Sequence, residues 1–384
     1  MARDADQPIL VYGDVVREYD FGPGHPLTPR RFGPGIDLLR ELGQTRVVEP
    51  IEADDDQLAR LHDRRYIRQV RSFSDHPDQP PAMGIGPGDC PPFYGIHEAS
   101  ATIAGGSIAA AQAILDGHAE HAFNPGGGLH HASAARASGF CIYNDVALGV
   151  AAARDAGHRV LYLDFDVHHG DGTQALFWSD PNVLTFSIHE TGLALFPGSG
   201  FEEETGGEGA RGSAVNVPLE PGSGDPSWWS AVERIVPVVA DRFRPSFLVT
   251  QHGCDSHAWD PLAHLRVTTA SYARAVALAD RIAHELCDGR WLATGGGGYD
   301  AYRVVPRSWA LINLAQRHVA VPEETPAAWR GRWEQEAARW DQAPLPVRMI
   351  DPAGTAPPEP EGAARRNAAT VDRVLRQVED AVHG

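Results

Sequence analysis

The segment RVLYLDFDVHHGDGT, residues 159–173, opens as an apolar run and ends as a cluster of ionisable groups. Val160, Leu161, Tyr162 and Leu163 have the length and side-chain types of a strand buried on both faces. Asp164, Asp166, His168, His169 and Asp171 follow, closed by Gly170 and Gly172. Open α/β sheets place their active sites beyond the carboxyl ends of core strands, which is where this cluster falls. Asp166 and His168 are two residues apart, so on extended backbone they point the same way and can grip one metal ion. Asp164 lies one pleat deeper, where a carboxylate would hold a structural cation or orient a histidine. A helix cap with solvated acids would account for one aspartate, not for five ionisable residues in eight positions.

The chain of 384 residues is long enough for a large α/β domain with an appendage, and its 42% apolar content is that of a globular protein. No apolar run approaches a membrane span, and the first six residues lack a signal-peptide core, so the expected location is the cytoplasm, without a membrane partner. Cys90, Cys141, Cys254 and Cys287 are scattered without Cys-x-x-Cys spacing, which suits a reducing compartment and excludes a thiolate zinc knuckle. A formal charge of −18 with no basic run disfavours nucleic acid as a partner. All 33 basic residues are arginine, so the chain cannot be regulated by acylation of its own lysines.

Outward from the central segment, strands are expected at 8–13, at 183–188, before Gln251, and at 291–294, with one from His121 into the loop Gly126-Gly-Gly-Leu-His130-His131. Helices are expected at 29–42, 57–73, 97–116 and 144–156, and residues 83–92 read as a Gly/Pro loop at a pocket rim. Strands alternating with helices, the polar residues following the strands, imply a mostly parallel sheet covered on both sides. Beyond residue 320 the prolines multiply, and an extended tail is expected, ending in an amphipathic helix over 363–382 with Val371, Val374, Leu375 and Val378 on one stripe. That tail is expected to pack on the domain or a second subunit, so that removing 322–384 would leave the chemistry largely intact.

Four strand-end loops thus supply Asp166 with His168, His130 with His131, Asp255, and Tyr299 behind four glycines. Two aspartates and one histidine suit a divalent transition metal that keeps a position open for water. An imidazole beside it can move protons, and a phenol can donate to an oxyanion. Together these parts describe amide hydrolysis without a protein nucleophile. Cys141 and Cys254 read as buried small residues, because no basic group is placed to activate them.

The motifs GGGLHHA, SGFCIYND, LDFDVHHGDGTQ, SIHETG, LFPGSG, QHGCD and GGGGYD, spread over residues 12–315, resemble the zinc-dependent histone deacetylase superfamily. HPLTPRR, SIHETG and GGGGYDAYRVVPR resemble its bacterial acetoin-utilisation branch in particular. The resemblance implies a three-layer arginase/deacetylase-like α/β fold, with a central sheet of about eight strands between helical layers. It implies a catalytic domain over residues 8–320 and a Pro-rich extension over 321–384. Asp166, His168 and Asp255 match the zinc ligands, with ferrous iron an alternative metal. His130 and His131 match a tandem proton-transfer pair, the second as general base, with Asp164 and Asp171 as their carboxylate partners and Tyr299 as the oxyanion donor. Phe140 and Phe196 match the walls of an acyl-lysine channel, Gly128 its lining, Asp89 the rim carboxylate and Arg31 an arginine near an internal cavity. The family also binds potassium. By match, Asp164, Asp166, His168, Ser187 and Ile188 would hold an inner ion, and Phe177, Asp180, Val183 and Ser213 an outer one. His252 and Cys254 stand where the family has smaller or apolar residues, so His252 is expected to bear on the metal's ligation or pKa; Ser213 stands where eukaryotic relatives carry an aromatic.

The implied function is metal-dependent hydrolysis of N-ε-acetyl-lysine on a protein, with acyl-CoA synthetases as the substrates suggested by the acetoin-type motifs. An acetylpolyamine amidohydrolase uses the same chemistry on a small cation and is the alternative enzyme. A non-catalytic acyl-lysine binding module is disfavoured, since none of the matched residues is replaced. Acyl preference and the number of subunits are not written in the sequence.

Overall fold

In a computed structural model describing residues 7–380, the apolar runs become the middle of one eight-stranded sheet. Its strands are β1 (Ile9–Val11), β2 (Val47–Val48), β3 (His121–Asn124), β4 (Val160–Asp164), β5 (Val183–Glu190), β6 (Ala214–Leu219), β7 (Phe247–Gln251) and β8 (Trp291–Thr294). They lie in the order β2-β1-β3-β8-β7-β4-β5-β6, and every pairing is parallel. Consecutive in sequence, β3 and β4 are two strands apart in the sheet, and β8 and β7 later fill the gap. In register, Asn124 pairs with Thr294, Thr294 with Gln251, and Gln251 with Asp164. The four central strands therefore end on one row. Their four polar loops leave side by side, over the crevice where a doubly wound sheet binds its ligand.

The helices are α1 (Phe32–Glu41), α2 (Asp55–Leu58), α3 (Arg64–Asp75), α4 (Ile96–Leu115), α5 (Asp145–Asp155), α6 (Asp171–Leu176), α7 (Asp225–Phe243), α8 (Thr269–Leu286), α9 (Val305–Gln316), α10 (Ala327–Ala338) and α11 (Glu361–Asp380). One layer is built on α4 and α5, which pack together against the sheet. The other is built on α7, α8 and α9, with α1 against α9 and α11 against α7 and β6. Both faces of β4 are thus covered, and Val160 through Leu163 are buried. Each such side chain contributes about 1.5–3 kcal/mol by leaving water, which is why a central strand carries no polar alternation until its end. Among the described residues no helix is long and apolar enough to cross a membrane, and all four cysteines are buried and unpaired.

Two expectations change. The helix read over 57–73 is broken into α2 and α3. Asp54 caps α2 in a reciprocal capping box with Gln57, and the chain then leaves the helix to bond the loop after the histidine pair. There the Asp63 N–H donates to the Ala134 carbonyl, and His62 Nδ1 lies 3.0 Å from the Ser133 carbonyl. Apolar periodicity ran on through this stretch because both pieces bury the same side.

The segment after residue 320 is not an extended tail. It folds α10, buries Trp329 completely, and donates Trp329 Nε1–H to the Pro34 carbonyl at 2.8 Å. Asp351 is buried against Arg307 (2.7 Å) and His257 (3.0 Å). Gln342 donates to the Tyr299 carbonyl and accepts from the Tyr302 N–H. The segment packs on the domain, as expected, and through Gln342 it also contacts the loop that carries Tyr299, a support that a chain lacking 322–384 would lose. The terminal helix forms as expected, with Val371 and Val374 buried, and residues 381 and 382 of the expected span lie outside the described residues.

Candidate active site

Asp166 and His168 do not converge by strand pleat, since β4 ends at Asp164 and the chain turns. In that turn Asp166 Oδ1 accepts the His168 N–H, and His168 Nδ1 comes within 3.1 Å of both Asp166 Oδ1 and Asp255 Oδ2. All three side chains are buried, and one ligand atom from each lies within 4.8 Å of the others. Burial works against ionisation of Asp166, yet the His130 and His168 charges outweigh it and hold Asp166 well below the usual carboxylate range. Burial and the neighbouring Asp166 push Asp255 up to about 6. Burial opposes a charge on His168 too, but hydrogen bonds to Asp166 and Asp255 raise it to about 10. Two carboxylates crowded in one dry place, with a ring nitrogen between them, want positive charge at that point. A divalent cation fits there, with the imidazole as a neutral ligand in place of its proton.

Around this trio the backbone is pinned. Asp166 Oδ2 accepts from Gln251 Nε2 (2.7 Å) and the Gly297 N–H (2.8 Å), and Asp255 Oδ1 accepts the Val167 N–H (2.9 Å). A Cβ on Gly297 would sit 1.9 Å from Asp255 Oδ2, so close backbone approach is what the glycine run supplies.

The two adjacent imidazoles differ by their partners. His130 Nδ1 lies 2.8 Å from Asp164 Oδ2, which also accepts the Tyr162 hydroxyl at 2.6 Å, so Asp164 orients a histidine. His131 Nδ1 lies 2.7 Å from Asp171 Oδ1, and the two Nε2 atoms are 2.9 Å apart. Burial acts against a charge on His130, but Asp164 and Asp166 raise it to about 9. Burial, then the His130 charge, pushes His131 down to about 4 in spite of Asp171. The carboxylates around His130 favour its charged form, and burial beside that charge favours the neutral form of His131. The pair sits on a loop fixed by Asp145, whose carboxylate accepts the Gly128 and Leu129 N–H groups, and by Asn144 Nδ2, which donates to the His130 and Ala132 carbonyls.

A cavity of about 290 Å³ opens above these groups, lined by His130, His131, Asp166, His168 and Tyr299 below and by Phe140, Phe196, Leu195, Leu262 and Asp89 toward its mouth. Phe140 and Phe196 project from separate loops. The Phe140 backbone is left-handed (φ 64°), and its carbonyl accepts the Tyr19 hydroxyl at 2.6 Å. Such a conformation costs a bulky residue of order 1 kcal/mol or more and is held by its surroundings. Phe196 is half-exposed, its ring 5.0 Å from His131. Asp89 is exposed at the rim, where Oδ2 accepts the Gly139 N–H. Gly128 lines the cavity at φ 99°, and a Cβ there would meet the Gly295 carbonyl at 2.5 Å. Tyr299 is half-buried in the wall, and its N–H donates to Asp260 Oδ2 at 2.9 Å. Burial raises its phenol well above the ordinary range, so it stays protonated as a donor. Arg31 is buried behind the glycine run and donates to the Gly296 carbonyl.

Of the residues matched to an inner potassium ion, Asp164 faces Ser187 across the β4–β5 register, with Ile188 next to it. The outer four gather at the opposite end of the sheet. The Phe177 carbonyl accepts the Asp180 N–H, the Asp180 carbonyl accepts the Val183 N–H, and the Ser213 carbonyl accepts the Thr185 N–H. His252 corrects an expectation. It is absent from the metal-type cluster and packs instead on Phe165 (5.3 Å) and Trp291 (6.4 Å), a buried ring pushed down to about 3 by desolvation. Sequence reasoning passed over Gln251, Asp145, Asp260, Leu195 and Leu262. Gln251, Asp145 and Leu195 lie inside motifs that carried the resemblance, whereas Asp260 and Leu262 gave no pattern to follow.

Known proteins resemble this chain over most of its length. The family model described as "Histone deacetylase domain" matches residues 25–315, well over half of the chain. The acetoin utilization protein AcuC of Bacillus subtilis is 38% identical over 376 residues, covering 96% of each chain. Its namesake in Staphylococcus xylosus is 36% identical over 335 residues, 85% of this chain and 87% of that one. The crystal structure of a histone deacetylase homologue complexed with SAHA superposes with a TM-score of 0.84 at 24% identity, over 96% of this chain and 99% of that one.

Proposed function

Because the chain belongs to the histone deacetylase family and is a hydrolytic deacetylase, we propose that it removes acetyl groups from N-ε-acetyl-lysine on proteins, using Asp166, His168 and Asp255 to hold a zinc or ferrous ion. The observation that carries this is a narrow aromatic slot ending on three converged ligand atoms, with a neutral imidazole and a phenol on its floor. Phe140 and Phe196 would flank the four-carbon lysine stem, and Asp89 at the rim would hold the backbone that carries it. A divalent cation in the trio would polarise the acyl carbonyl and acidify a water. His131, kept neutral and oriented by Asp171, would accept the proton and pass it to the leaving amine. His130, charged against Asp164, would favour negative charge developing nearby, and Tyr299 would donate its hydroxyl to the oxyanion.

Potassium would occupy the positions around Asp164 and Ser187 and around Phe177 and Ser213, supported by the carbonyl and carboxylate oxygens gathered there. The relatives' name, acetoin utilization protein, supports a setting in acetoin metabolism; acetylated acyl-CoA synthetase would be the protein substrate there, and the cytoplasm the location. The test is turnover of an acetyl-lysine peptide and of an acetylated polyamine on one sample whose metal content is measured. A peptide kcat/KM well above that of the polyamine is expected, and the reverse order would overturn the assignment.

A further inference from the structure

At the other end of the sheet from this cavity, four side chains from three elements converge on one point. His121 opens β3, Asp280 and His284 lie one turn apart on α8, and His318 follows α9. His284 Nε2 lies 3.2 Å from His121 Nε2 and 3.1 Å from His318 Nε2; Asp280 Oδ1 lies 3.3 Å from His318 Nε2 and 3.6 Å from His284 Nε2. We propose that these four residues bind a second divalent transition-metal ion of the zinc class, in a closed His-His-His-Asp site separate from the catalytic one.

Hydrogen bonding does not account for the arrangement. An imidazole nitrogen carries one hydrogen or one in-plane lone pair. His284 Nε2 can therefore pair with His121 or with His318, and not with both. A cation at the centre satisfies all three Nε2 atoms at once. The distances also suit one. Ligands about 2.0–2.1 Å from a tetrahedral zinc stand about 3.3 Å from one another, and the four contacts quoted run from 3.1 to 3.6 Å. The spacing is that of the Asp166–His168–Asp255 trio, where the same contacts are 3.1 Å.

The backbone supplies an independent observation. His318 sits in the left-handed region, φ 52°, at the position after a helix end that glycine ordinarily takes. Its N–H donates to the Ala315 carbonyl and the next N–H to the Leu314 carbonyl, closing α9. A histidine there accepts strain that glycine would avoid, and what it gains is a ring aimed at His284. His121 is buried while the other three reach the surface, so the site is open to loading from solvent yet anchored in the sheet. Four protein ligands leave no position for substrate, which makes the ion structural: it ties the start of β3 to α8 and α9.

The experiment uses the full chain, freed of any histidine tag and exchanged into chelator-treated buffer, with bound metal counted by mass spectrometry. The wild type should retain about two equivalents. His318→Asn, which tolerates the left-handed backbone, and His284→Gln should each retain about one, with peptide turnover within about twofold of wild type. Asp166→Asn isolates the proposed site: added cobalt should give the visible absorption of a tetrahedral nitrogen/oxygen site, and added zinc should raise its melting temperature. Both responses should vanish in Asp166→Asn/His318→Asn. Absence of a cobalt spectrum in Asp166→Asn would overturn the proposal, as would two retained equivalents in a folded His318→Asn chain or loss of the second equivalent from wild type on simple buffer exchange.

Discussion

Adding one carbon at Gly297 should disarm the active site without unfolding the protein. The new Cβ would lie 1.9 Å from Asp255 Oδ2 and 2.9 Å from Asp166 Oδ2, whereas an ordinary contact begins near 3.4 Å. Asp255 or the 297 backbone must therefore move by about 1.5 Å, far outside the ±0.2 Å that a metal–ligand bond tolerates. The same movement strains the Gly297 N–H donated to Asp166 Oδ2, now 2.8 Å. Loss of one orienting contact costs about 10–100-fold in metal affinity, and a misplacement near 1 Å costs about 100-fold in rate. Gly297→Ala should thus bind zinc at least about tenfold more weakly in competition with a chromophoric chelator, and lose about two orders of magnitude or more in peptide kcat/KM at saturating zinc. Its melting temperature in metal-free buffer should stay near wild type, because the position is not in the left-handed region. Wild-type zinc affinity together with turnover within threefold would refute the reading of the glycine run as a close-approach device.

Other perturbations separate the remaining roles. His131→Gln should keep its zinc and lose about 10²–10⁴ in kcat as a general base, whereas unchanged hydrolysis would remove it from the mechanism. Trp329→Ala deletes a fully buried side chain and its bond to Pro34; about 3–5 kcal/mol should be lost, read as a fall of several degrees in melting temperature, and a shift under one degree would mean that α10 is not part of the fold's stability. The His62 ring, held near 4 by burial, binds its proton more readily in the unfolded chain. Its contribution should be complete above pH about 6.5 and be lost as pH falls toward 4, by about 3 kcal/mol; urea titrations over that window should show a shallower pH slope for His62→Gln. Phe196→Ala should raise KM for the acetyl-lysine peptide more than it lowers kcat, and the opposite split would move Phe196 from the slot to the chemistry.

What could be read beforehand follows from how local each determinant is. The run Val160–Leu163 followed by Asp164 and Asp166 is a buried strand with its chemistry at the end, and both parts lie within a few residues. The parallel order of the sheet was legible as a class, but not its sequence of strands. The row Asn124, Thr294, Gln251, Asp164 is made by pairing across up to 170 residues of chain. Convergence of Asp255 on Asp166 could be expected from both lying on strand-end loops of one parallel sheet and from the matched motifs, though no spacing rule joins positions 89 residues apart. Asp260 was invisible for the same reason. Its one informative contact is to the Tyr299 N–H, 39 residues away, and an aspartate in a turn has many other reasons to exist. The C-terminal segment misled because proline signals where a helix cannot continue, not whether the chain between prolines is buried. The size of Trp329 was the better clue, since a large aromatic finds water costly wherever it falls.

That segment also explains how a glycine-rich loop can hold a phenol still. Four glycines bring the backbone against Asp166 and Asp255, but glycine loses more conformational entropy on ordering than any other residue. The restraint has to come from outside the run. Arg31 fixes the Gly296 carbonyl, Asp166 takes the Gly297 N–H, Asp260 takes the Tyr299 N–H, and Gln342 donates to the Tyr299 carbonyl. These partners come from the 3₁₀ turn Pro29–Arg31 before α1, from the turn after β4, from the loop after β7, and from the extension. Three of them belong to the body of the domain, and the fourth arrives only once α10 has docked through Trp329. Tyr299 is thereby tied by one hydrogen bond to the chain's last sixty residues or so. Loosening α10 should act on turnover through Tyr299 before it acts on the ligand trio, whose own hydrogen bonds do not involve the extension. In Gln342→Ala, kcat should therefore fall while zinc affinity holds, whereas a parallel loss of both would place the coupling elsewhere.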